Sequence, residues 1–130
     1  MIILTIKTDQ PKAKISLYDD DRRLAEITWL ADRELSDTIH IKIKELLDKS
    51  KKDWTDISGV IAFSGPGSFT GLRIGLSVAN ALIYGLSCPG VGASGENWIK
   101  MGIEKLKIGK NDKVIKANYG ADAHITLPKH

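Results

Sequence analysis

The sequence predicts a single α/β domain: a five-stranded mixed sheet, made of an antiparallel meander plus parallel strands, with flanking helices. Strand-like and helix-like segments follow one another in the order βββ-α-β-α-β-α, which is typical of helices packed on a sheet. The chain has 130 residues, of which 42% are hydrophobic. That size and composition suit one core and leave too little chain for two full domains.

The predicted strands are short apolar or alternating runs. A buried run at the N-terminus is followed by a half-buried alternating run and, after a polar turn, by a third run, as in an antiparallel meander. A mostly apolar run further on is typical of a parallel strand. The five predicted strands cover residues 2–8, 13–18, 24–30, 57–63 and 90–93. Residues 113–128 are expected to form a hairpin of two short strands around residues 118–120.

The first predicted helix follows the meander, with Ser36 as its N-cap because a serine side chain can accept a hydrogen bond from the first turn. Its apolar residues share one face, the ordinary core-facing pattern. They are Leu35, Ile39, Ile43, Leu46 and Leu47. Ile41 lies nearly opposite and is expected to be exposed. A later helix is predicted to start from a cap at Ser94 and to end near Leu106.

The long helix predicted over residues 68–86 carries two adjacent apolar faces. The face predicted to pack on the sheet consists of Leu72, Gly75, Leu76, Ala79, Leu82, Ile83 and Leu86. The second face consists of Ile74, Val78, Ala81 and Gly85. Because contiguous exposed apolar surface usually marks an interface, the second face is expected to bind a partner. Cover by another helix of the same domain is the alternative.

Composition favours a cytoplasmic protein without a metal centre. The net charge is +3, and the excess of lysine after residue 100 favours either contact with RNA phosphates or an ordinary solvated surface. The single cysteine, Cys88, is predicted to be a buried thiol. No apolar run approaches the roughly 18 residues of a membrane span. The spacing of His40, His124 and His130 does not match a zinc site.

The segment SGPGSFTG, between the fourth strand and the long helix, could form an anion site. Gly65 and Gly67 permit unusual backbone angles, and the following N–H groups would lie at a helix N-terminus, which stabilises anions. The segment contains no lysine and is therefore not a P-loop; Thr70 stands where G-x-G-x-x-G requires its third glycine. The pattern fits either a tight structural turn or a phosphate site.

The full string GPGSFTGLRIG is more specific than its parts, and it resembles the signature of the TsaB family, also called YeaZ. It comprises Gly65, Pro66, Gly67, Ser68, Phe69, Thr70, Gly71, Leu72, Arg73, Ile74 and Gly75. The opening strands, the ADRELSDTIHIKIKELL helix and the PGVGAS segment are similar to the N-terminal lobe of that family in order and spacing. The resemblance extends over roughly residues 1–100.

The resemblance implies an actin-like and Hsp70-like (ASKHA) lobe in residues 1–110, with residues 111–130 as a short hairpin remnant of a second lobe. It implies a non-catalytic subunit, without a cofactor, that pairs with the catalytic protein TsaD and works with the ATPase TsaE. Together they add a threonylcarbamoyl group to a tRNA adenosine, with tRNA contacted indirectly. A homodimer is expected when the partner is absent. The residues assigned to pairing are Ile74, Val78, Ala81, Gly85 and Ile41.

The sequence departs from that family at three points. Lys7 stands where the first strand of the family ends in Asp, and a lysine cannot ligate a hard cation; Asp9 lies two residues further on. Leu35 replaces a frequent histidine, and little of the sequence could form a second lobe. These departures weigh against one alternative, a phosphate- or nucleotide-binding protein that uses the SGPGS loop. The other alternative is a self-associating, diverged paralogue with no role in tRNA modification.

Overall fold

The computed structural model describes residues 1–67 and 69–118, apart from the side chain of Phe69. Strands and helices follow one another in the predicted order. The strands are β1 (Ile2–Lys7), β2 (Lys12–Asp19), β3 (Arg22–Leu30), β4 (Gly59–Phe63) and β5 (Gly90–Ala93). The helices are α1 (Leu35–Lys49), α2 (Phe69–Leu86) and α3 (Trp98–Lys107), with short 3-10 turns at Asp32–Glu34 and Trp54–Asp56.

The five strands form one mixed sheet in the order β3-β2-β1-β4-β5. β2 pairs antiparallel with both β1 and β3, whereas β4 pairs parallel with both β1 and β5. The central position of β1 explains its nearly unbroken apolar run, because a strand covered on both faces is stabilised by apolar side chains at successive positions. The predicted five-stranded mixed sheet is confirmed.

Helices lie on both faces of this sheet. Val60 and Gly90 are cross-strand partners, and a side chain at Gly90 would collide with Ile83 of α2. A side chain at Gly59 would instead meet Leu106 of α3. Because adjacent residues of a strand point to opposite faces, α2 and α3 pack on opposite sides of the sheet. α1 contacts β2, β3 and α2, and therefore shares the side of α2.

The core-facing stripes predicted for α1 and α2 are confirmed. Every member of the α1 stripe is buried: Leu35, Ile39, Ile43, Leu46 and Leu47. The buried members of the α2 stripe are Leu72, Gly75, Leu76, Ala79 and Ile83. Leu82 and Leu86 pack on the core from half-buried positions. On the outer side of α1, Ile41 is 65% exposed, as predicted.

The N-terminus of α1 differs from the prediction. Ser36 lies inside the first turn of the helix, and the N-cap position belongs to Glu34, which makes no capping side-chain hydrogen bond. The reason is that the 3-10 turn Asp32–Glu34 runs directly into α1, so no extended residue precedes the helix. Thr38 instead donates a hydrogen bond from Oγ1 to the carbonyl oxygen of Glu34, at 2.8 Å.

The start of α3 also lies later than predicted. Its N-cap position is Asn97, not Ser94. Gly95 adopts a φ of +86°, which turns the chain between Ser94 and the helix. The Ser94 hydroxyl oxygen lies 3.3 Å from that of Ser64, at the end of β4. Ser94 therefore links the ends of two neighbouring strands.

Residues 111–118, here called the edge strap, cover the outer edge of β5. The amide nitrogen of Asp112 donates to the carbonyl oxygen of Gly90, at 2.8 Å, and the Asp112 carboxylate accepts a hydrogen bond from the amide of Gly92, at 2.8 Å. Ile115 is 3% exposed. A side-chain carboxylate thus replaces part of a strand ladder, which protects the edge from pairing with other chains.

The edge strap differs from the predicted hairpin. Residues 113–118 have no strand structure, and the other half of the predicted hairpin lies outside the described residues. The division into a lobe of residues 1–110 and a second-lobe remnant of residues 111–130 stays a prediction.

Two glycines of α2 provide a matched test of this packing. A Cβ at Gly75 would overlap the hydroxyl of Thr8, whereas a Cβ at Gly85 would have no neighbour within 4 Å. We expect Gly75→Ala to destabilise the fold by about 1–3 kcal/mol through overpacking. Gly85→Ala should stabilise it by up to about 1 kcal/mol, since alanine has the higher helix propensity. Urea unfolding of both variants measures the difference; equal effects would contradict the packing described.

Candidate functional site

The signature segment packs directly on the end of β1, at Thr8. Thr8 is 2% exposed, and its Oγ1 donates a hydrogen bond to the carbonyl oxygen of Gly71, at 2.7 Å. A Cβ at Gly71 would overlap the carbonyl oxygen of Thr8, and a Cβ at Gly75 would overlap its hydroxyl. These two glycines therefore allow α2 to approach the sheet more closely than any side chain would permit.

The two glycines of the turn before α2 have different roles. Gly65 has a φ of +107°, as predicted for a turn glycine. The interpretation of Gly67 as a residue with an unusual backbone angle is wrong: positive φ among the described glycines occurs at Gly65, Gly95 and Gly109. A Cβ at Gly67 would lie 2.5 Å from Cβ of Asp9, so Gly67 leaves room for that side chain. Ser68, the next signature residue, lies outside the described residues.

Asp9 is held by Lys7, two residues earlier on the same side of the chain. The Lys7 Nζ lies 2.6 Å from Oδ1 of Asp9, whose side chain is 7% exposed. The same ammonium lies 4.5 Å from the centroid of the Phe63 ring, and this ring packs edge-on against Trp98. An aromatic ring attracts a cation over its face, so Phe63 helps to fix the ammonium beside the carboxylate.

This ion pair places a carboxylate beside the turn that precedes α2. The Asp9 carboxylate lies against Gly67, at the approach to α2, where a free helix N-terminus would favour an anion. A phosphate approaching there meets a negative charge, and the ammonium of Lys7 is already paired with Asp9. The arrangement is therefore suited to holding β1, β4 and α2 together.

α1 and α2 form a groove on the outer surface of the domain, here called the α1–α2 groove. Its volume is about 460 Å³. The seven lining residues are Ser36, His40, Thr70, Arg73, Ile74, Ser77 and Val78. The α2 members recur at spacings of three and four residues, which places them along one side of that helix. The groove combines an apolar floor with hydroxyl, imidazole and guanidinium groups.

The structure divides the predicted pairing residues into two groups. Ala81 and Gly85 of α2 and Ile41 of α1 are exposed. Val78 is only 8% exposed, and Ile74 is half-buried against the core. Val78 is thus largely covered by its own chain, because α1 lies beside that part of α2. The exposed part of the predicted face lies toward the C-terminal half of α2.

Two further residues of α2, Tyr84 and Asn80, lie outside its two predicted apolar faces. Tyr84 is 89% exposed, beside Gly85. Asn80 anchors the edge strap: its Nδ2 donates to the carbonyl oxygen of Ile115, at 3.0 Å, and its Oδ1 accepts from the amide of Ile115, at 2.8 Å. The sequence signal for this anchoring role is that Asn80 is a lone amide side chain within an apolar helix.

The remaining candidate residues have structural or surface positions. Cys88 is buried, and this burial raises the pKa of its thiol, which disfavours the reactive thiolate. His40 is exposed. Within residues 1–67 and 69–118, no group of three or more His, Cys, Asp or Glu side chains could hold a metal ion. In the same residues, no helix combines the length and apolarity needed to cross a membrane.

Comparisons with known proteins identify the family of this chain. The family model described as TsaD, tRNA N6-adenosine threonylcarbamoyltransferase, matches residues 29–99, more than half of the chain. The matched range includes α1, the signature segment and α2.

Curated relatives carry two names. The tRNA threonylcarbamoyladenosine biosynthesis protein TsaB of Escherichia coli (strain K12) is 35% identical over 94 residues, which cover 72% of this chain and 40% of the relative. TsaB of Bacillus subtilis (strain 168) is 32% identical over 89 residues, covering 68% and 39%. The tRNA N6-adenosine threonylcarbamoyltransferase of Geotalea daltonii is 40% identical over 65 residues, covering 50% and 19%. The chain thus spans about two fifths of the TsaB relatives it matches.

A solved structure supports the fold. YeaZ from Pseudomonas aeruginosa superimposes with a TM-score of 0.67, covering 72% of this chain and 43% of that chain, at 22% sequence identity. At that identity the likeness shows the fold alone. The predicted α/β fold, a mixed five-stranded sheet with flanking helices, is confirmed.

The ion pair of Lys7 and Asp9 can be tested against a neighbouring lysine. Lys7→Met would leave a buried carboxylate without its partner, and we expect a loss of about 1–3 kcal/mol, reduced from the fully buried case because Lys7 is partly exposed. Lys14, the cross-strand neighbour of Lys7, is exposed, so Lys14→Met should change stability by less than about 0.5 kcal/mol.

A double variant separates charge from packing. Lys7→Met with Asp9→Asn removes both charges, and it should recover most of the loss seen in Lys7→Met alone. Thermal and urea unfolding measure all three variants. If Lys7→Met is as stable as the wild type, the ion pair does not hold the turn.

Proposed function

This chain belongs to the TsaD family, in which its curated relatives include TsaB proteins, and we propose that it is a non-catalytic scaffold subunit. In this proposal it pairs with a TsaD-like protein in the threonylcarbamoyladenosine modification of tRNA. The names of the relatives support a role in tRNA threonylcarbamoyladenosine biosynthesis. The pairing itself is inferred from the surface of α2.

The observation that carries the proposal is the exposed outer face of α2. Ala81 and Gly85 are exposed one turn apart, and Tyr84 beside them is 89% exposed. Two small residues at this spacing let another helix approach closely, and a tyrosine at such a surface supplies a large contact area. α1, on the same side of the sheet, adds the exposed Ile41.

The turn at the start of α2 supports a structural role over a chemical one. Asp9 and Lys7 neutralise each other. The side chain of Asp9 occupies the space beside Gly67. General acid–base catalysis requires a titratable group that can reach a substrate, and Asp9 is buried beneath the turn. A scaffold that positions a catalytic partner needs no such group.

The wider assembly follows from the same premise. A TsaE-like ATPase would join the complex, tRNA would be contacted through the partner, and a homodimer would form through the same face of α2 when the partner is absent. A role in tRNA modification implies a cytoplasmic protein. The chain spans about two fifths of its TsaB relatives. The ATPase, the indirect tRNA contact, the homodimer and the cytoplasmic location are therefore proposals for this chain.

Ala81→Glu tests the pairing face. The residue is exposed, so the fold should be preserved, whereas a charge buried in a helix–helix contact should weaken binding by several kcal/mol, about a hundredfold or more. Val114, on the edge strap, is 58% exposed, and Val114→Glu is the control. Titration calorimetry with a TsaD-like subunit from the same genome measures both. If Ala81→Glu binds the TsaD-like subunit with wild-type affinity, the interface does not include this face of α2.

Mg-ATP titration tests the nucleotide-binding alternative. Because the turn already holds a paired carboxylate, we expect no ATP hydrolysis and no affinity tighter than about 1 mM, which corresponds to about 4 kcal/mol of binding free energy. The measurement is calorimetry on the full chain, with Lys14→Met as a control for nonspecific charge effects. Micromolar binding would favour a nucleotide-handling protein over a scaffold.

A further inference from the structure

Positive charge is concentrated in the later part of the chain. Residues 1–56 carry 11 lysines and arginines against 12 acids, whereas residues 57–118 carry seven against three. Within the described residues, the ion pairs lie in residues 1–56, apart from the one that joins Lys107 to Asp21. The positive charge of residues 57–118 is therefore mostly not neutralised by the described acids.

Three of these lysines follow the edge strap. Lys110 precedes it, and Lys113 and Lys116 lie in it, at intervals of three residues. All three are exposed, and no ion pair among the described residues includes them. The backbone that carries them is fixed, because the amide of Lys110 donates to the carbonyl oxygen of Lys105, at 2.9 Å, and α2 anchors the strap at Ile115. The lysines thus form a row along one edge of the domain.

A groove lies between the strap and the C-terminal half of α2, here called the strap groove. Its volume is about 470 Å³. Its lining includes the side chains of Tyr84, Ser87, Lys113 and Val114, and there is no acid among the described residues that line it. Tyr84 is 89% exposed and Val114 is 58% exposed. An aromatic ring, a cation and a hydroxyl group therefore border the same space.

One acid, Asp112, interrupts the row of lysines. Its carboxylate accepts a hydrogen bond from the amide of Gly92, at 2.8 Å, and so lies against β5. The ammonium of Lys105 donates to the carbonyl oxygen of the same glycine, at 2.9 Å. Asp112 and Lys105 therefore place opposite charges at one edge of the sheet, and the three lysines of the row keep their charge.

The acids of neighbouring elements lie outside the strap groove. α2 contains no acid. Glu104 lies in a depression on α3 together with two lysines, and Glu96 lies in another, beside β2. In the 3-10 turn before β4, the carboxylate of Asp56 accepts from the amide of Asp53, at 2.8 Å. Even with Glu104 counted, the strap region has two acids and four lysines, a net charge of +2.

We infer that the strap groove and its row of lysines bind an unpaired segment of RNA: a base stacks on Tyr84, and the phosphates lie along residues 110–116. Every base has a π-face, so an exposed aromatic ring accepts any of them. Ammonium groups in a row neutralise successive phosphates and release their counterions. The hydroxyl of Ser87 can bond to a base edge or to a 2′-hydroxyl group.

RNA fits this surface better than an acidic segment of a protein does. The planar fork of arginine matches a carboxylate best, and the row contains lysine alone, which acts as a point charge. The choice of RNA among polyanions rests on the proposed role in tRNA modification. The inference adds a direct contact to the indirect one made through the partner. Because pairing does not require this contact, the two can be tested separately.

Fluorescence anisotropy with a labelled single-stranded RNA of about 12 nucleotides measures the contact on the full chain, without a partner. The wild type should bind with a Kd of about 1–100 μM at physiological salt. A triple variant, Lys110→Gln with Lys113→Gln and Lys116→Gln, should bind at least about tenfold more weakly. Its plot of log K against log salt should be shallower by roughly two, since each phosphate contact contributes about 0.7 to the slope for single strands.

A matched control changes three other lysines, Lys12, Lys14 and Lys49, to glutamine. They are exposed and belong to no ion pair among the described residues. Both triple variants lose the same net charge, so a difference between them reports the position of the charge. The control should bind RNA within about threefold of the wild type, because charges far from the groove are screened. Melting temperatures of both variants should match the wild type.

Tyr84 variants test the stacking contact. Tyr84→Ala should bind at least about fivefold more weakly with an unchanged salt slope, because base stacking involves no counterion release. Tyr84→Phe keeps the ring and should bind like the wild type. Double-stranded RNA of the same length should bind more weakly than the single strand, since its bases are already paired. Tyr84 also borders the pairing face, so these titrations use concentrations at which light scattering gives one mass for all variants.

The outcomes separate this inference from the proposed pairing. If the wild type does not bind RNA at about 50 mM salt, or if the two triple variants bind it equally well, the inference is wrong. If poly-glutamate binds as tightly as RNA and Tyr84→Ala binds like the wild type, the surface suits an acidic protein segment and the inference is overturned. Calorimetry with the TsaD-like subunit tests the pairing independently of each result.

Discussion

The close approach of α2 to the end of β1 is the contact on which the rest of the domain depends. Thr8 fills the space that Gly71 and Gly75 leave, and its hydroxyl donates to the helix backbone at Gly71. A buried hydrogen bond to a backbone carbonyl holds the helix at this distance, because breaking it would leave a polar group unsatisfied. β1 is the central strand, so this contact ties α2 to the middle of the sheet.

The close packing of α2 on the sheet determines which of its residues remain exposed to solvent. One side of the helix reaches the sheet, and α1 covers part of the next side, so Val78 is buried while Ala81 and Gly85 stay exposed. The edge strap is fixed by Asn80 from the same helix. α2 therefore contributes to the core, to one sheet edge and to the outer surface.

Two charged features near the N-terminal half of α2 differ in how their charges are paired. At its N-terminal approach, Asp9 and Lys7 are paired and partly removed from water. Beside α1, Arg73 is exposed and lies in a groove whose lining contains no acid. The first arrangement neutralises charge within the chain, and the second leaves the charge of Arg73 exposed to solvent.

The sequence by itself determined the order of the elements, the mixed sheet and the buried stripes of α1 and α2, because apolar periodicity reports directly which side of an element faces the core. It also identified the signature segment, since eleven specific residues carry far more information than any one glycine. Only the tertiary structure decided that the N-caps of α1 and α3 are Glu34 and Asn97. It also decided the approach of Asp9 to Gly67, the cover over Val78 and the anchoring of the edge strap by Asn80. Each of these depends on which distant residues come within a few ångströms, and one-dimensional periodicity does not encode that distance.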